Sequence, residues 1–170
     1  MQKNTKTLII AGLIVGAVFG LAGSMVKEVN LQATLYEISS IGMIVAAALL
    51  GLTFFRKGND FVAAGFLLLA IAEAVMSSGT ALGPVGNQPS FAAGMALYVP
   101  ALLLISVPKG FPIWARIAGI LTVIPFAIAA AKIFWGEQVL SPSPLPGVGY
   151  SLLVITFICW IIALVKEKYE

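Results

Sequence analysis

The stretch FVAAGFLLLAIAEAVMSSG, residues 61–79, runs for nineteen positions with a single ionisable side chain, Glu73. Its apolar residues follow one another without the 3.6-residue or two-residue periodicity of a half-buried element. A helix of about 20 such residues, rising about 1.5 Å each, crosses roughly 30 Å of hydrocarbon. Working outward, five more blocks of the same kind occupy residues 7–25, 31–55, 91–107, 113–134 and 148–165. Composition agrees, since 60% hydrophobic residues, 10% charged residues and a mean hydropathy of +1.04 leave too little polar surface for a water-facing fold. The expected fold is an all-α integral membrane protein: six transmembrane helices in one bundle, short loops, no extramembrane domain, and residues 1–170 forming one membrane domain.

The connections carry their own signals. "GTALGPVGNQPS" separates the third and fourth blocks and "WGEQVLSPSPLPG" the fifth and sixth, both compositions that break helices. Orientation follows from Lys and Arg, which are held on the cytoplasmic side of membrane spans. With the N-terminus inside, Lys3, Lys6, Arg56, Lys57, Lys109, Arg116, Lys166 and Lys168 fall inside, and only Lys27 and Lys132 outside. An N-in, C-in topology in the cytoplasmic membrane of a bacterium or archaeon is therefore expected. Aromatic residues sit where an interfacial belt predicts them: Phe54, Phe55, Phe61, Phe111 and Trp114 inside, Tyr36, Phe134, Trp135 and Tyr150 outside. The net charge of +3 is accounted for by these topology-setting residues, so no nucleic-acid partner is expected.

"MQKNTK", an apolar run and "GLAGS" also have the outline of a cleaved secretion signal. The uncharged run over residues 7–26 exceeds the usual core of about 7 to 15 residues, which favours a retained helix. Gly12, Gly16 and Gly20 form a small-xxx-small ladder along it, a surface on which a second helix can approach closely. Residues 42–63 also align on residues 94–115 with seven identities, including Gly42-Met43 on Gly94-Met95 and Lys57-Gly58 on Lys109-Gly110. The pattern raises a duplicated hairpin as one reading and shared hydrophobic vocabulary as the other.

Much chemistry is excluded by subtraction. The chain has no His and one Cys, Cys159, so it offers no His or Cys cluster for zinc, copper, haem or iron-sulfur, no internal disulfide and no Ser-His-Asp triad. Phosphate-binding glycine motifs are missing as well. The expectation is a non-enzymatic protein with no metal and no cofactor, in which Cys159 is a small buried hydrophobe.

What remains is polar residues inside spans. Glu73 lies about 18 Å along the third span, near mid-bilayer, whereas Glu37 lies about 27 Å along the second, near the outer interface. An isolated charge at mid-depth costs about 2.5 to 3.5 kcal/mol, so Glu73 should face the bundle interior and find partners or be protonated. Ser77 and Thr80 follow at four and seven residues, on the same helix face. Tyr98 sits at a similar level on the fourth span, and Pro100 and Pro125 break or kink the fourth and fifth, freeing the carbonyls of Ala96 and Leu121. These residues outline a site facing the fourth and fifth spans and opening outward toward Glu37, Ser39, Ser40 and Lys132. Against it stands a plainer reading, in which Glu73 is a neutral acid bonded to Tyr98 that fixes helix register, and Glu37 with Lys132 is an exposed interface pair.

Two function classes follow. One is a small carrier, channel or membrane substrate-binding subunit with its polar site near Glu73. The other is a structural or accessory subunit of a larger membrane assembly. The bilayer is the expected partner in both, along with further copies of the chain or other membrane subunits, and a ligand of unspecified chemistry in the first. In outline, six spans in 170 residues with both termini inside resemble the vitamin-binding subunits of energy-coupling-factor transporters. That resemblance is one of architecture and assigns no residue.

Overall fold

Helix boundaries in the computed structural model, which describes residues 2–137, 139 and 144–166, fall where the sequence supplies caps and turn residues. Helix α1 (Lys3–Met25) ends before Glu28, whose carboxylate accepts from the backbone N–H groups of Asn30 and Leu31 and so caps α2 (Val29–Arg56). Gln32 reaches back to the carbonyls of Gly23 and Val26, satisfying the end of α1. Asn59 caps α3 (Asp60–Ser78) at Val62. After α3 come a 3-10 turn (Thr80–Leu82) and a one-turn helix, α4 (Gly83–Gly86), then α5 (Gln88–Ser106), α6 (Ile113–Phe134) and α7 (Pro144–Lys166).

Six of these helices, all but α4, are long and apolar enough to cross a membrane, and the described residues contain no strand. The third connection departs from expectation. Its Gly, Pro and Asn residues do not simply stop the helix but wind into two short helical turns, joined at Gly83, whose φ of +72° is open to glycine at little cost. Helices α5 and α6 also run unbroken through Pro100 and Pro125, a correction to the expected break, since neighbouring helices hold the backbone where one hydrogen bond is lost.

Consecutive long helices pack as antiparallel neighbours, α1 on α2, α2 on α3, α3 on α5, α5 on α6 and α6 on α7. A much smaller contact between α7 and α1 closes the ring. Small residues set the closest approaches. A Cβ placed on Gly12 would lie 2.6 Å from the Gly42 carbonyl oxygen, so α1 and α2 touch backbone to backbone there. Ser39 then donates to the Gly16 carbonyl at 2.7 Å across the same seam.

The two ends of the bundle differ. At the end where α1 begins and α7 finishes, Phe54, Phe66, Phe111 and Trp160 form a packed aromatic plug, with Phe66 and Trp160 centroids 5.0 Å apart and edge-on. Phe54 and Phe111 thus belong to the core rather than to an interfacial belt, because their helix faces turn inward; Phe55, Phe61 and Trp114 remain exposed. Lys3, Lys6, Arg56, Lys57, Lys109, Arg116 and Lys166 all lie at this end; Lys168 falls outside the described residues. Two of them serve helix ends. Arg116 donates from Nε to the Ser106 carbonyl at 2.7 Å and from its guanidinium to that of Val107, capping α5, and buried Lys6 donates to the Val165 carbonyl near the end of α7. Cys159 is half-buried rather than buried.

Candidate functional site

The opposite end of the bundle is hollow. A cavity of about 710 Å³ lies between the second half of α1, the first halves of α2 and α7, the end of α3 and the start of α5. Its formation is local: a Cβ on Gly147 would meet nothing within 4 Å, Gly16 and Gly20 let the α1 backbone close on Met43 and Ser39 of α2, and Met43, Met76 and Phe157 form apolar walls. The volume is that of a site for a drug-sized molecule. Toward the other end the aromatic plug closes the interior.

Glu73 forms part of the cavity wall at its deep end and is 6% exposed. The Tyr98 hydroxyl, fully buried on α5, donates to its Oε1, and Ser40 on α2 donates to its Oε2 at 2.8 Å. One carboxyl group therefore ties α2, α3 and α5 together. Phe126 of α6 stacks on the Tyr98 ring at 4.8 Å and holds that ring from behind. A carboxyl group accepts at about four lone-pair positions, and the two hydroxyls occupy two of them.

Ser77 and Thr80 both line the cavity. The Ser77 Oγ, one turn beyond Glu73, is buried without a hydrogen-bond partner among the described residues. Tyr150 and Phe91 add aromatic walls, and the Tyr150 hydroxyl meets the Met76 sulfur at 3.6 Å. Among the described lining residues, Glu73 is the only Asp, Glu, Lys or Arg.

The remaining candidates lie elsewhere. Glu37 is half-buried on α2 but does not line the cavity. Lys132 does not pair with it: its ammonium bridges to Glu137 at 2.6 Å, a partner five residues on in the turn that ends α6. The correction has a simple origin, since α6 packs on α5 and α7 and is not a neighbour of α2. Pro100 is exposed on the outside of α5 and Pro125 is buried within the α6 packing, so neither proline nor the carbonyls of Ala96 and Leu121 reach the cavity. Of the two spans expected to enclose the site, the fourth, α5, does so through Tyr98, Gln88 and Phe91, whereas the fifth, α6, contributes no lining residue and α1, α2 and α7 supply further walls.

Sequence reasoning missed Ser40 as a partner of Glu73 and α7 as a wall. The signal for the first was the Ser39-Ser40 pair, the last polar residues before the apolar run over 41–52 of α2. Thr122 and Thr156 were missed too; their hydroxyls meet at 3.0 Å and join α6 to α7 in the core. Comparison with known proteins returns no family model, curated protein or solved structure that matches the chain.

Proposed function

We propose that the chain is a non-enzymatic membrane protein, both termini cytoplasmic, that binds a small and largely apolar molecule in its outward-facing cavity, as a carrier or a membrane substrate-binding subunit. The cavity reaching Glu73 carries this reading, because a carboxyl group at mid-depth of a membrane is expensive unless it serves a site or a water-filled space. The Lys and Arg bias to the plugged end supports the orientation. The plug itself favours a blind binding chamber over an open channel.

Photolabelling tests the binding. Met43 and Met76 are buried from surrounding lipid, at 1% and 6% exposure, yet line the cavity. A neutral aryl-diazirine benzyl alcohol, activated on protein in a bilayer, is expected to label both saturably, and Ala33→Trp, placed in the cavity wall, to abolish the labelling. Labelling confined to lipid-facing Val45 and Ile71 would overturn the reading. Orientation has its own check in a Cys159→Ala background. An impermeant maleimide applied from outside should modify Asn87→Cys and spare Gly58→Cys; the reverse pattern inverts the topology. Position 143, in the other outer loop, lies outside the described residues.

The second reading is an accessory subunit without a ligand. The Tyr98–Glu73–Ser40 tie favours it, since the same bonds would fix the register of three helices. Under that reading the cavity methionines stay unlabelled.

A further inference from the structure

Resting on the binding reading above, we infer that the ligand is a lipophilic amine: one protonated nitrogen bearing N–H donors, attached to an aryl or alkyl body. Several observations converge on that class. Glu73 is the one acidic side chain among the described lining residues, none of which is Lys or Arg, so only a cationic ligand brings it an opposite charge. Its two hydrogen-bonded hydroxyls leave acceptor capacity on both carboxyl oxygens. An ammonium group there gains a charge-assisted hydrogen bond in a water-poor setting, whereas an anion meets repulsion and a neutral alcohol gains only an ordinary bond.

The walls suit the rest of such a molecule. Tyr36, Phe91, Tyr150 and Phe157 surround the space with ring faces or edges, and ring faces attract cations. Met43 and Met76 supply adaptable apolar contact for the body. Ser77, whose Oγ has no partner, stands one turn from the carboxyl group and can accept a second N–H. Around Glu73 the Ser40 and Tyr98 hydroxyls are committed as donors to the carboxyl group, and Tyr150 donates to the Met76 sulfur.

Three probes of one shape separate the possibilities: 4-phenylbutylamine, 4-phenylbutan-1-ol and 4-phenylbutyrate. Calorimetric titration uses the full chain in phosphatidylcholine nanodiscs, with empty nanodiscs subtracting partition into lipid. The amine is expected to bind at least about ten-fold more tightly than the alcohol, and the carboxylate more weakly than both. In Glu73→Gln the advantage of the amine over the alcohol should disappear. Equal affinities for amine and alcohol in the parent chain would overturn the amine assignment while leaving the cavity a binding site. Saturable binding of none of the three would take the binding reading down with it. The parent comparison decides the matter alone should Glu73→Gln fail to fold.

Discussion

Gly12→Leu should lower the stability of the bundle by about 3 kcal/mol or more, the upper range for overpacking a closed interior. The reason is specific to this residue. The nearest atom to an added Cβ is a backbone oxygen, that of Gly42 at 2.6 Å, with the Ala46 Cβ at 3.0 Å behind it. Neither can rotate away, so α1 and α2 must part along their seam. Gly16→Leu should cost less, because its nearest neighbour is the flexible Met43 side chain, which has the cavity to move into. Ala17→Leu, half-exposed on the next face, should change little. Unfolding titrations in mild detergent with added denaturing detergent give the ranking. Equal losses at Gly12 and Ala17 would show that the ladder faces lipid.

Tyr98→Phe should destabilise the chain by about 1 to 2 kcal/mol, the upper end for an interhelical hydrogen bond in a membrane protein. The hydroxyl is fully buried, so removing it leaves the Glu73 carboxyl group short of a partner that no neighbouring donor replaces. A double-mutant cycle isolates the pair. Combined with Glu73→Leu, the loss of the Tyr98 hydroxyl should cost clearly less than it does alone, because no carboxyl group is left short of a donor. Strict additivity would mean that hydroxyl and carboxyl do not interact. Ser40→Ala offers the same test on the α2 side, where the bond is 2.8 Å.

The number of helices was legible because crossing a membrane demands length and apolarity of every residue in turn, and hydropathy reports both. Residue depth was legible too: the constant rise of a helix places Glu73 and Tyr98 at one level before any coordinates exist. What a sequence does not report is which way a helix is rotated, or which helices are neighbours. Lys132 was matched with Glu37 by depth alone, yet the two helices do not meet. Pro100 was placed at the site by depth alone, yet it points away from the bundle. Ser40 is 33 residues from Glu73 and becomes its partner only through the α2–α3 packing. The cavity was the least legible feature, since it is made by the spread of several helices at one end and by the side chain that Gly147 lacks, neither of which leaves a mark on hydropathy.

The uneven closure of the ring has a mechanical consequence. Helix α7 packs on α6 through Thr156 and Gly149, the latter against the Phe126 ring, but meets α1 sparingly, with Lys6 bound to the Val165 carbonyl at the plugged end. At the hollow end the cavity separates the two helices, with Leu21 and Ser24 on one lip and Val148 and Ser151 on the other, all exposed. The bundle is therefore built as a clasp, fastened at the basic end and sprung at the other. Helix α7 carries Trp160, so the Phe66–Trp160 and Phe111–Trp160 pairs of the plug pin its far half, and an outward swing is confined to its first turns at the hollow end. Under the proposed binding reading, the gap between the lips would face hydrocarbon in a bilayer, and a molecule dissolved in lipid would enter sideways without first returning to water. On that reading occupancy would track the ligand's concentration in the membrane plane, and two ligands of equal fit would differ by their partition coefficients.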